Sequence, residues 1–454
     1  MRLHIIKRMA AGAMALSALA ASAQSRSAYF LDNYTYNFQH NPAMAIDRRG
    51  DISFPLFGNL NVGTSANVGL KTFFFKGSDG RLMNFMNPQV NTNKFLSGIK
   101  NHNRIGLEMR EQIMSVGFRA LGGYNHISVG VVGDAQIRMP KSIFSFLKEG
   151  ISNRTYDIGR IDANAHAYTE IALNHSHSLE NLLPGLRVGG TFKFLIGFGN
   201  VDINFDKADL RLGKDEWNAI TNGTMRVNIP GVRLLTHTND EGREYVDDFE
   251  YDSFSIGGYG MAVDFGATYR LNSDWDFALA FNDIGFINWK SNVEATTNGD
   301  RIVSTRDYPL NPSEFEDSFD DFTNAISGLY QLDDNGDTGS RCRAIAGTMK
   351  ASARYSLPMY RRLSFGLLNT THMQKRFAWT EFRLSANLTP VDWLGLGVNY
   401  GLGTFGSSFG WILNIAPKGF NLYVGMDHTI GKLSKRYVPL NLNSQLSLGL
   451  NFPF

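Results

Sequence analysis

The chain has 454 residues, of which 44 are basic and 42 acidic, and its formal net charge at pH 7 is +2. This near-neutral balance offers no electrostatic basis for nucleic-acid binding, so we predict no nucleic-acid partner. The single cysteine, Cys342, excludes an internal disulfide and a thiolate metal cluster, and beyond the N-terminus no apolar run approaches the ~18 residues of a membrane-spanning helix.

The N-terminus has the three parts of a secretory signal peptide. Basic residues at positions 2, 7 and 8 precede a small, apolar stretch at residues 9–20. Ala21-Ser22-Ala23 then fits the A-x-A cleavage rule. We therefore assign residues 1–23 to a signal peptide and predict cleavage before Gln24. The apolar stretch is shorter than the ~20 residues that a membrane anchor needs.

From residue 58 onwards, apolar and polar side chains alternate with a period of two, as in β-strands. The clearest case is the last segment, where even positions from Leu440 to Phe454 are apolar except for Ser444. Its length of ~15 residues exceeds the ~3–10 usual for strands of soluble proteins. The pattern is typical of a strand with one face on lipid and the other on a lumen. We predict an all-β fold, a transmembrane antiparallel β-barrel over residues 58–454.

Charged residues in these segments keep to one phase of the alternation, and large apolar residues keep to the other. A charge on the lipid face costs ~2–4 kcal/mol at the bilayer midplane, so we predict that the charged phase faces the lumen. These charges either line a conductive pore or neutralise one another and fill the barrel. The predicted lumen-lining residues are Lys193, Asp264, Arg270, Lys350, Arg354, Glu381 and Arg383.

Short connectors alternate with long ones along the chain, as short periplasmic turns and long external loops do in outer-membrane barrels. Counting back from a periplasmic Phe454 gives about 14 strands, and a strand-like segment at 223–238, assigned to a loop, would raise the count to 16. The long loops are placed at about 73–103, 139–159, 201–253, 291–342 and 429–439. The strands are predicted at 60–72, 104–119, 123–138, 160–178, 186–200, 254–270, 274–290, 343–357, 361–372, 377–389, 393–403, 408–416, 420–428 and 440–454.

Several local features refine this layout. A change of phase between Met109 and Met114 predicts a β-bulge near residues 110–112. An amphipathic helix is expected in the loop 291–342, beginning at Asn311-Pro312, and a second short helix at 142–148. Tryptophans at strand ends (positions 275, 289, 379 and 393) favour interfacial aromatic girdles, with burial in a core as the alternative.

We find no sequence pattern that specifies a catalytic, metal or cofactor site. Asp333, Asn335 and Asp337 have the spacing of calcium-loop ligands, but Thr338 and Ala344 stand where Gly and Glu are required. Asp162, His166 and Glu170 share a predicted lumen face, so a rim hydrolase is an alternative to a structural network. We predict no enzyme activity, no cofactor and no metal.

Residues 24–57 do not alternate and contain Asn41-Pro42-Ala43. This element resembles the N-P-A element of the long-chain fatty-acid transporter (FadL-like) superfamily, which includes PorV-like barrels. Together with residues 283–289, the layout is most similar to an uncharacterised family of predicted outer-membrane barrels. The resemblance implies that residues 24–57 form a hatch inside a 14-stranded barrel, with Asn41 and Pro42 in the hatch. Met44 departs from the usual Gly, and a simple turn before a strand is the alternative.

The sequence therefore predicts an exported protein of the outer membrane of a Gram-negative bacterium, surrounded by outer-membrane lipid. The leading function is hatch-gated passive transport of small or hydrophobic molecules. The alternative is a PorV-like surface scaffold without transport activity, with a protein partner at the external loops. The C-terminal strand ending at Phe454 resembles the signal recognised by the barrel assembly machinery, which is the second expected partner.

Overall fold

The computed structural model describes residues 25–44, 49–54, 58–77, 81–149, 154–212, 217–238, 244–252, 255–297, 301–304, 332–429 and 443–454. Three predictions lie outside these residues: the signal peptide, the helix beginning at Asn311-Pro312 and the loop 429–439 after its first residue. Among the described residues, no helix is both long and apolar enough to cross a membrane.

The described chain is dominated by strands, with a few short helices. The helices are Arg26–Ala28 (3-10), Asn37–His40, Leu70–Thr72 (3-10), Thr92–Ser97, Lys141–Glu149 and Lys375–Phe377 (3-10). The strands are β1 Gly50–Ser53, β2 Asn59–Ala66, β3 Phe74–Lys76, β4 Leu82–Asn84, β5 His102–Ala120, β6 Gly123–Pro140, β7 Arg154–Asp157, β8 Ile161–Ser178, β9 Leu186–Leu212, β10 Trp217–Asn228, β11 Val232–Thr238, β12 Glu244–Tyr251, β13 Gly258–Arg270, β14 Trp275–Trp289, β15 Val293–Thr296, β16 Arg301–Ser304, β17 Asp333–Asp337, β18 Arg341–Ala344, β19 Gly347–Ser356, β20 Leu363–Met373, β21 Trp379–Val391, β22 Leu394–Gly403, β23 Gly406–Ile415, β24 Asn421–His428 and β25 Ser444–Pro453.

These strands close a 14-stranded antiparallel barrel, which confirms the predicted fold. Each barrel strand pairs with the next along the chain, and closure comes where β25 pairs with both β1 and β2. β1 and β2 act together as the first barrel strand, because both also pair with β5. The residues of β1, which the sequence assigned to the N-terminal segment, therefore lie in the barrel wall. A closed sheet leaves no unpaired edge, as a lipid environment requires.

The alternation predicted from the sequence sets which side chains face outward. In β21, Phe382 and Leu384 are 54% and 62% exposed, whereas Glu381 and Arg383 between them are 7% and 2% exposed. The outer surface is thus apolar and the inner surface polar, the arrangement of a barrel in lipid. Trp275 and Trp393 lie on the outside, as the girdle interpretation predicts, but Trp289 and Trp379 are buried inside.

Among the register shifts in the described sheets, two bear on the predicted bulge and on the charges of the lumen. The register of β5 against β6 slips between Gln112 and Met114, close to the predicted position. The second bulge, which the sequence analysis missed, lies between β13 and β14, where Asp264 faces both Asn282 and Asp283. Asp283 adopts a φ of 60°, and its backbone N–H donates to Asp264 Oδ1 at 2.7 Å. The bulge turns the carboxylates of both aspartates toward the lumen.

Above the long-loop end of the barrel, the chain builds more sheet than predicted. Residues 201–253 were assigned to a loop, yet β9 extends to Leu212 and pairs with β10. β10 in turn pairs with β15 and β16, so the sheet continues beyond the barrel instead of adding two spanning strands. Apolar side chains including Met225, Val227 and Val246 form a separate core there. The helix Lys141–Glu149 agrees with the short helix predicted at 142–148.

Candidate functional site

The N-terminal segment, residues 25–44, lies inside the barrel. Tyr29, Tyr34, Tyr36 and Asn41 are each at most 2% exposed. The segment folds as short helical turns, in which its own backbone satisfies only part of its hydrogen bonds. Most of its remaining polar groups bond to strands around the whole barrel. Asn33 Nδ2 donates to the carbonyl of Asp392 in a short turn, so the segment reaches the short-turn end of the barrel.

Asn41 and Pro42 contact the wall at the short-turn end. The Asn41 side-chain amide donates to the carbonyls of Ala267 at 3.1 Å and Leu279 at 3.2 Å. Asn174 of β8 donates to the Pro42 carbonyl at 3.3 Å. The Asn41 side chain also accepts from the N–H of Ala43 at 2.9 Å, which closes a local turn. These bonds fix the N-P-A element against three neighbouring regions of the wall.

Two glycines make this contact sterically feasible. A Cβ on Gly189 would overlap the backbone of Pro42, and one on Gly266 would overlap the Asn41 side chain. Only glycine removes the side chain at an inward-facing position, so the segment can approach the strand backbone closely. The close contact therefore depends on residues of both partners, namely Asn41 and Pro42 in the segment and Gly189 and Gly266 in the wall.

The start of the segment is anchored by charge. The Arg26 guanidinium lies 2.7 Å from Glu381 and 3.2 Å from Asp427, and the backbone N–H groups of Arg26 and Ser27 donate to Asp427 at 2.8 and 2.7 Å. Arg383, predicted to line the lumen, pairs with Glu381 at 2.6 Å. Burial opposes the charge of Arg26, but the carboxylates of Glu381 and Asp427 outweigh it and raise the pKa of its guanidinium. This anchor is ionic and reversible, not covalent.

A second cluster of charges surrounds Lys193, whose ammonium is almost completely buried. It lies 2.5 Å from Asp283, 2.8 Å from Asp264 and 3.8 Å from Glu170. Arg110 bonds to the same cluster, at 3.1 Å from Asp283 and 3.4 Å from Glu170. Opposite charges thus satisfy one another across the lumen, and the structure brings Lys193 and Asp264 together as neighbours.

Lys350 connects the wall to the N-terminal segment. Its ammonium lies 3.1 Å from Nδ1 of His40, and both residues are buried. Burial, and then the neighbouring Lys350 ammonium, hold the pKa of His40 well below its usual value. His40 is therefore neutral in the seated segment and accepts a hydrogen bond from Lys350.

The remaining predicted lumen residues lie near the short-turn end. Arg354 makes a bidentate pair with Asp32 of the N-terminal segment. Arg270 lies apart from the clusters, since its side chain is 72% exposed and pairs with Asp276 at 2.9 Å. Arg354 therefore holds the N-terminal segment, whereas Arg270 sits at the rim.

The structure does not assemble the residues of the rim-hydrolase alternative. Asp162 is bound by Arg138 and Arg376, and Glu170 belongs to the Lys193 cluster. His166 stacks on Tyr168 with ring centroids 5.8 Å apart and lies 4.0 Å from Asp134. Among the described residues, no group of three or more His, Cys, Asp or Glu side chains is placed to hold a metal ion.

A cavity of about 120 Å³ lies between the N-terminal segment and the long-loop end. Its wall carries charges of both signs and several uncharged polar groups. Residues of the wall include Arg26, Glu108, Arg110, Asp134, His166, Asn282, Asp283, Lys350, Thr370 and Trp379.

Sequence reasoning missed several of these groups. Arg26 lies in a segment without alternation, so no phase rule could orient it. Asp283 follows a shift in spacing, since outward residues run Phe277, Leu279, Phe281 and then Ile284. That three-residue step, in place of the usual two, indicates the bulge.

Fold and lumen together define the chain as an outer-membrane-type β-barrel with a filled interior. The chain belongs to a family of unknown function (DUF5723), whose sequence model matches residues 42–427. The match confirms the predicted resemblance to an uncharacterised family of barrels. A search of curated proteins finds no match to this sequence.

Solved structures similar to this chain include two toluene transporters and an outer-membrane channel. The toluene transporter TbuX of Ralstonia pickettii is 8% identical, with 93% of this chain and 94% of that chain covered and a TM-score of 0.39. The toluene transporter TodX of Pseudomonas putida is 7% identical, with 96% and 94% covered and a TM-score of 0.36. The outer-membrane channel DcaP of Acinetobacter baumannii is 9% identical, with 89% and 98% covered and a TM-score of 0.21.

Proposed function

We propose that the protein is a passive outer-membrane channel gated by its N-terminal segment. The observation that carries this proposal is that residues 25–44 lie inside the barrel and are held there by non-covalent contacts, several of them at the short-turn end. In this scheme a solute enters from the long-loop end and reaches the cavity that Arg26 of the segment helps to line. Short turns are periplasmic in outer-membrane barrels, so passage requires the segment to move. Asn41 and Pro42 act in this scheme as part of the hatch.

The energetics favour a segment that can be displaced. It is held by hydrogen bonds and ion pairs, including those of Arg26 and of Lys350 with His40, and by apolar packing in a cluster that includes Leu31 and Ile412. A typical hydrogen bond contributes only about 1 kcal/mol net, because water replaces it when it breaks. The barrel strands, in contrast, are held by continuous ladders. The segment is therefore the part of the lumen that moves while the wall persists.

A reversible disulfide tests the gate. A Cβ on Gly410 would lie 2.8 Å from the Ser27 hydroxyl oxygen and 2.8 Å from the Met426 carbonyl, so a Ser27→Cys, Gly410→Cys pair in a Cys342→Ser background is within reach of a disulfide after a small shift of β23. The matched control is Ser53→Cys with Ser115→Cys, whose hydroxyl oxygens are 2.8 Å apart within the wall. We expect liposomes with the first pair to swell in arabinose only after reduction, and the control to swell in both states. Equal swelling of the first pair in both states, or none in either, would refute the gate.

The alternative, a surface scaffold, is favoured by one observation of its own. The sheet beyond the barrel has a separate apolar core, to which the hairpin of β11 and β12 contributes Val232 and Val246. A structured external surface of this kind suits protein binding. Replacing residues 232–251 by a short glycine-serine linker should abolish capture of a stoichiometric partner from a detergent extract while leaving the barrel folded. If the intact protein captures no stoichiometric partner, the scaffold hypothesis fails.

A further inference from the structure

Two carboxylates stand side by side in the cavity wall. Glu108 of β5 and Asp134 of β6 are direct partners in the strand register, and both line the cavity. Like charges directly opposite on paired strands destabilise the sheet. Such a pair is stable when a positive charge comes between or beside the two carboxylates.

Two cations of the wall, Arg26 and Arg110, are already bound to other carboxylates, and the ammonium of Lys350, which also lines the cavity, lies 3.1 Å from Nδ1 of His40. Arg26 contacts Glu381 and Asp427, while Arg110 contacts Glu170 and Asp283. Within the part of the chain that the structure describes, no Lys or Arg nitrogen lies within 4.0 Å of Glu108 or Asp134. Asp134 instead accepts from the Gln136 amide at 3.0 Å and has His166 at 4.0 Å.

Uncharged acceptors on other strands face the same cavity. Thr370 of β20 is 3% exposed and Asn282 of β14 is 1% exposed, and both line the cavity. The Thr370 hydroxyl and the Asn282 side-chain oxygen have no hydrogen-bond partner among the described residues. Buried polar atoms without a partner cost about 1–3 kcal/mol each, so a bound donor would stabilise them.

We infer that this cavity binds a small primary alkylammonium ion. Its three N–H donors match the carboxylates of Glu108 and Asp134 plus a neutral oxygen from Thr370 or Asn282. A volume of about 120 Å³ admits a short alkyl chain as well as the ammonium group. A tightly coordinated metal ion fits less well, since the described residues offer no cluster of three ligands for one. This ion is also a substrate class for the proposed channel. Binding of the ion does not depend on the channel proposal, whereas transport of the ion rests on it.

Calorimetric titration of the full-length barrel in detergent tests the binding arm. Ethylammonium chloride is the probe, with sodium acetate and ethanol as the anionic and neutral counterparts at constant ionic strength. We expect saturable binding of ethylammonium alone, weakened about tenfold by Glu108→Gln and by Asp134→Asn, as loss of one close charge pair implies. Thr370→Val should also weaken it, whereas Asp392→Asn, in an exposed turn, should not. Equal binding of acetate, or full affinity in both carboxylate variants, would overturn the inference.

Liposome flux separates failure of this inference from failure of the channel. Faster uptake of ethylammonium than of acetate or arabinose by liposomes with the natural protein, each rate corrected for protein-free liposomes, supports the substrate class if it is lost in Glu108→Gln with Asp134→Asn. Passage of all three at equal rates would keep the channel and refute the cation preference. No passage of any solute, with saturable binding retained, would refute the channel and leave the binding site.

Discussion

Lys193 shows how a single residue can hold the interior of the barrel together. Its ammonium contacts carboxylates from three strands, namely Glu170, Asp264 and Asp283. Removing one partner of a buried ionic network leaves uncompensated charge and costs about 3–5 kcal/mol. The cluster therefore makes the wall rigid around the N-terminal segment.

We expect Lys193→Met to lower the free energy of unfolding by about 3–5 kcal/mol, because Asp264 would be left buried without a cation while Arg110 alone would face Glu170 and Asp283. The midpoint of urea unfolding in detergent or liposomes measures this change. Arg270→Met is the matched control, since its side chain is exposed and its pair with Asp276 contributes less than about 1 kcal/mol. Equal shifts in the two variants would contradict the assignment of Lys193 to a buried cluster.

His40 makes the placement of the N-terminal segment inside the barrel, here called seating, sensitive to acid. While the segment lies inside the barrel, burial and then Lys350 hold the pKa of His40 well below its usual value. When the segment is displaced into water, the pKa of His40 returns to about 6.5. The contribution of neutral His40 to the stability of the segment inside the barrel is therefore fully present above pH ~6.5. This contribution is lost as the pH falls below that value, because only the displaced form takes up the proton. By pH 5 the loss reaches up to about 2 kcal/mol.

Hydrogen exchange of residues 25–44, corrected for the intrinsic effect of pH, measures this seating. We expect protection of the segment to fall between pH 7.5 and pH 5 in the natural protein and to change much less in His40→Gln. Identical pH dependence in the two proteins would show that His40 does not control seating.

At the level of single residues, the sequence orients side chains only where the alternation is unbroken. Glu381 and Arg383 lie two apart on β21 and are buried as their phase predicts. Asp283 escapes the rule because one additional residue in β14 shifts the phase. The alternation rule does not orient Arg26, because its orientation depends on Glu381 and Asp427, which lie 355 and 401 positions away in the sequence.

Among the elements, the N-terminal segment and β9 depend on each other through Gly189. The side-chain position of Gly189 faces the backbone of Pro42, and there is no room between them. At the next position, Gly190, an added Cβ would meet the Asp264 carbonyl at an ordinary 3.6 Å. Adjacent residues of one strand thus offer a test and its control.

We expect Gly189→Ala to displace the N-P-A element, raise hydrogen exchange over residues 25–44 and speed solute uptake by liposomes. Gly190→Ala should leave both measurements near those of the natural protein, because its Cβ points away from the segment. Protection of residues 25–44 that is unchanged in Gly189→Ala would show that the contact does not hold the segment in place.

The boundaries of the barrel strands follow the sequence pattern closely, as β6 and β8 show. β6 was predicted at 123–138 and spans Gly123–Pro140, and β8 was predicted at 160–178 and spans Ile161–Ser178. β9 was cut short at residue 200 because its outer part pairs with β10 beyond the membrane, where no lipid enforces alternation of outward side chains. Sheet that is not bounded by lipid follows ordinary packing, which a period-two rule does not detect.

On the scale of the whole molecule, the architecture can be predicted from the sequence because lipid surrounds the barrel. Hydrocarbon outside and polar groups inside impose one rule on every spanning strand, so closure and strand number follow. The cavity was not predictable, because its wall combines β5, β6, β14 and β20 with Arg26 of the N-terminal segment. Such a site depends on distances across the lumen, which local patterns do not encode.

Collision accessibility of spin labels along β21 tests the central claim that hydrocarbon surrounds the barrel. Single cysteines replace residues 382–386, one at a time, in Cys342→Ser protein reconstituted in liposomes. Labels at 382, 384 and 386 should collide strongly with oxygen and weakly with a water-soluble nickel chelate, while those at 383 and 385 should be shielded from oxygen. Strong collision with the nickel chelate at 382 and 384, or shielding from both reagents there, would contradict a lipid-facing surface.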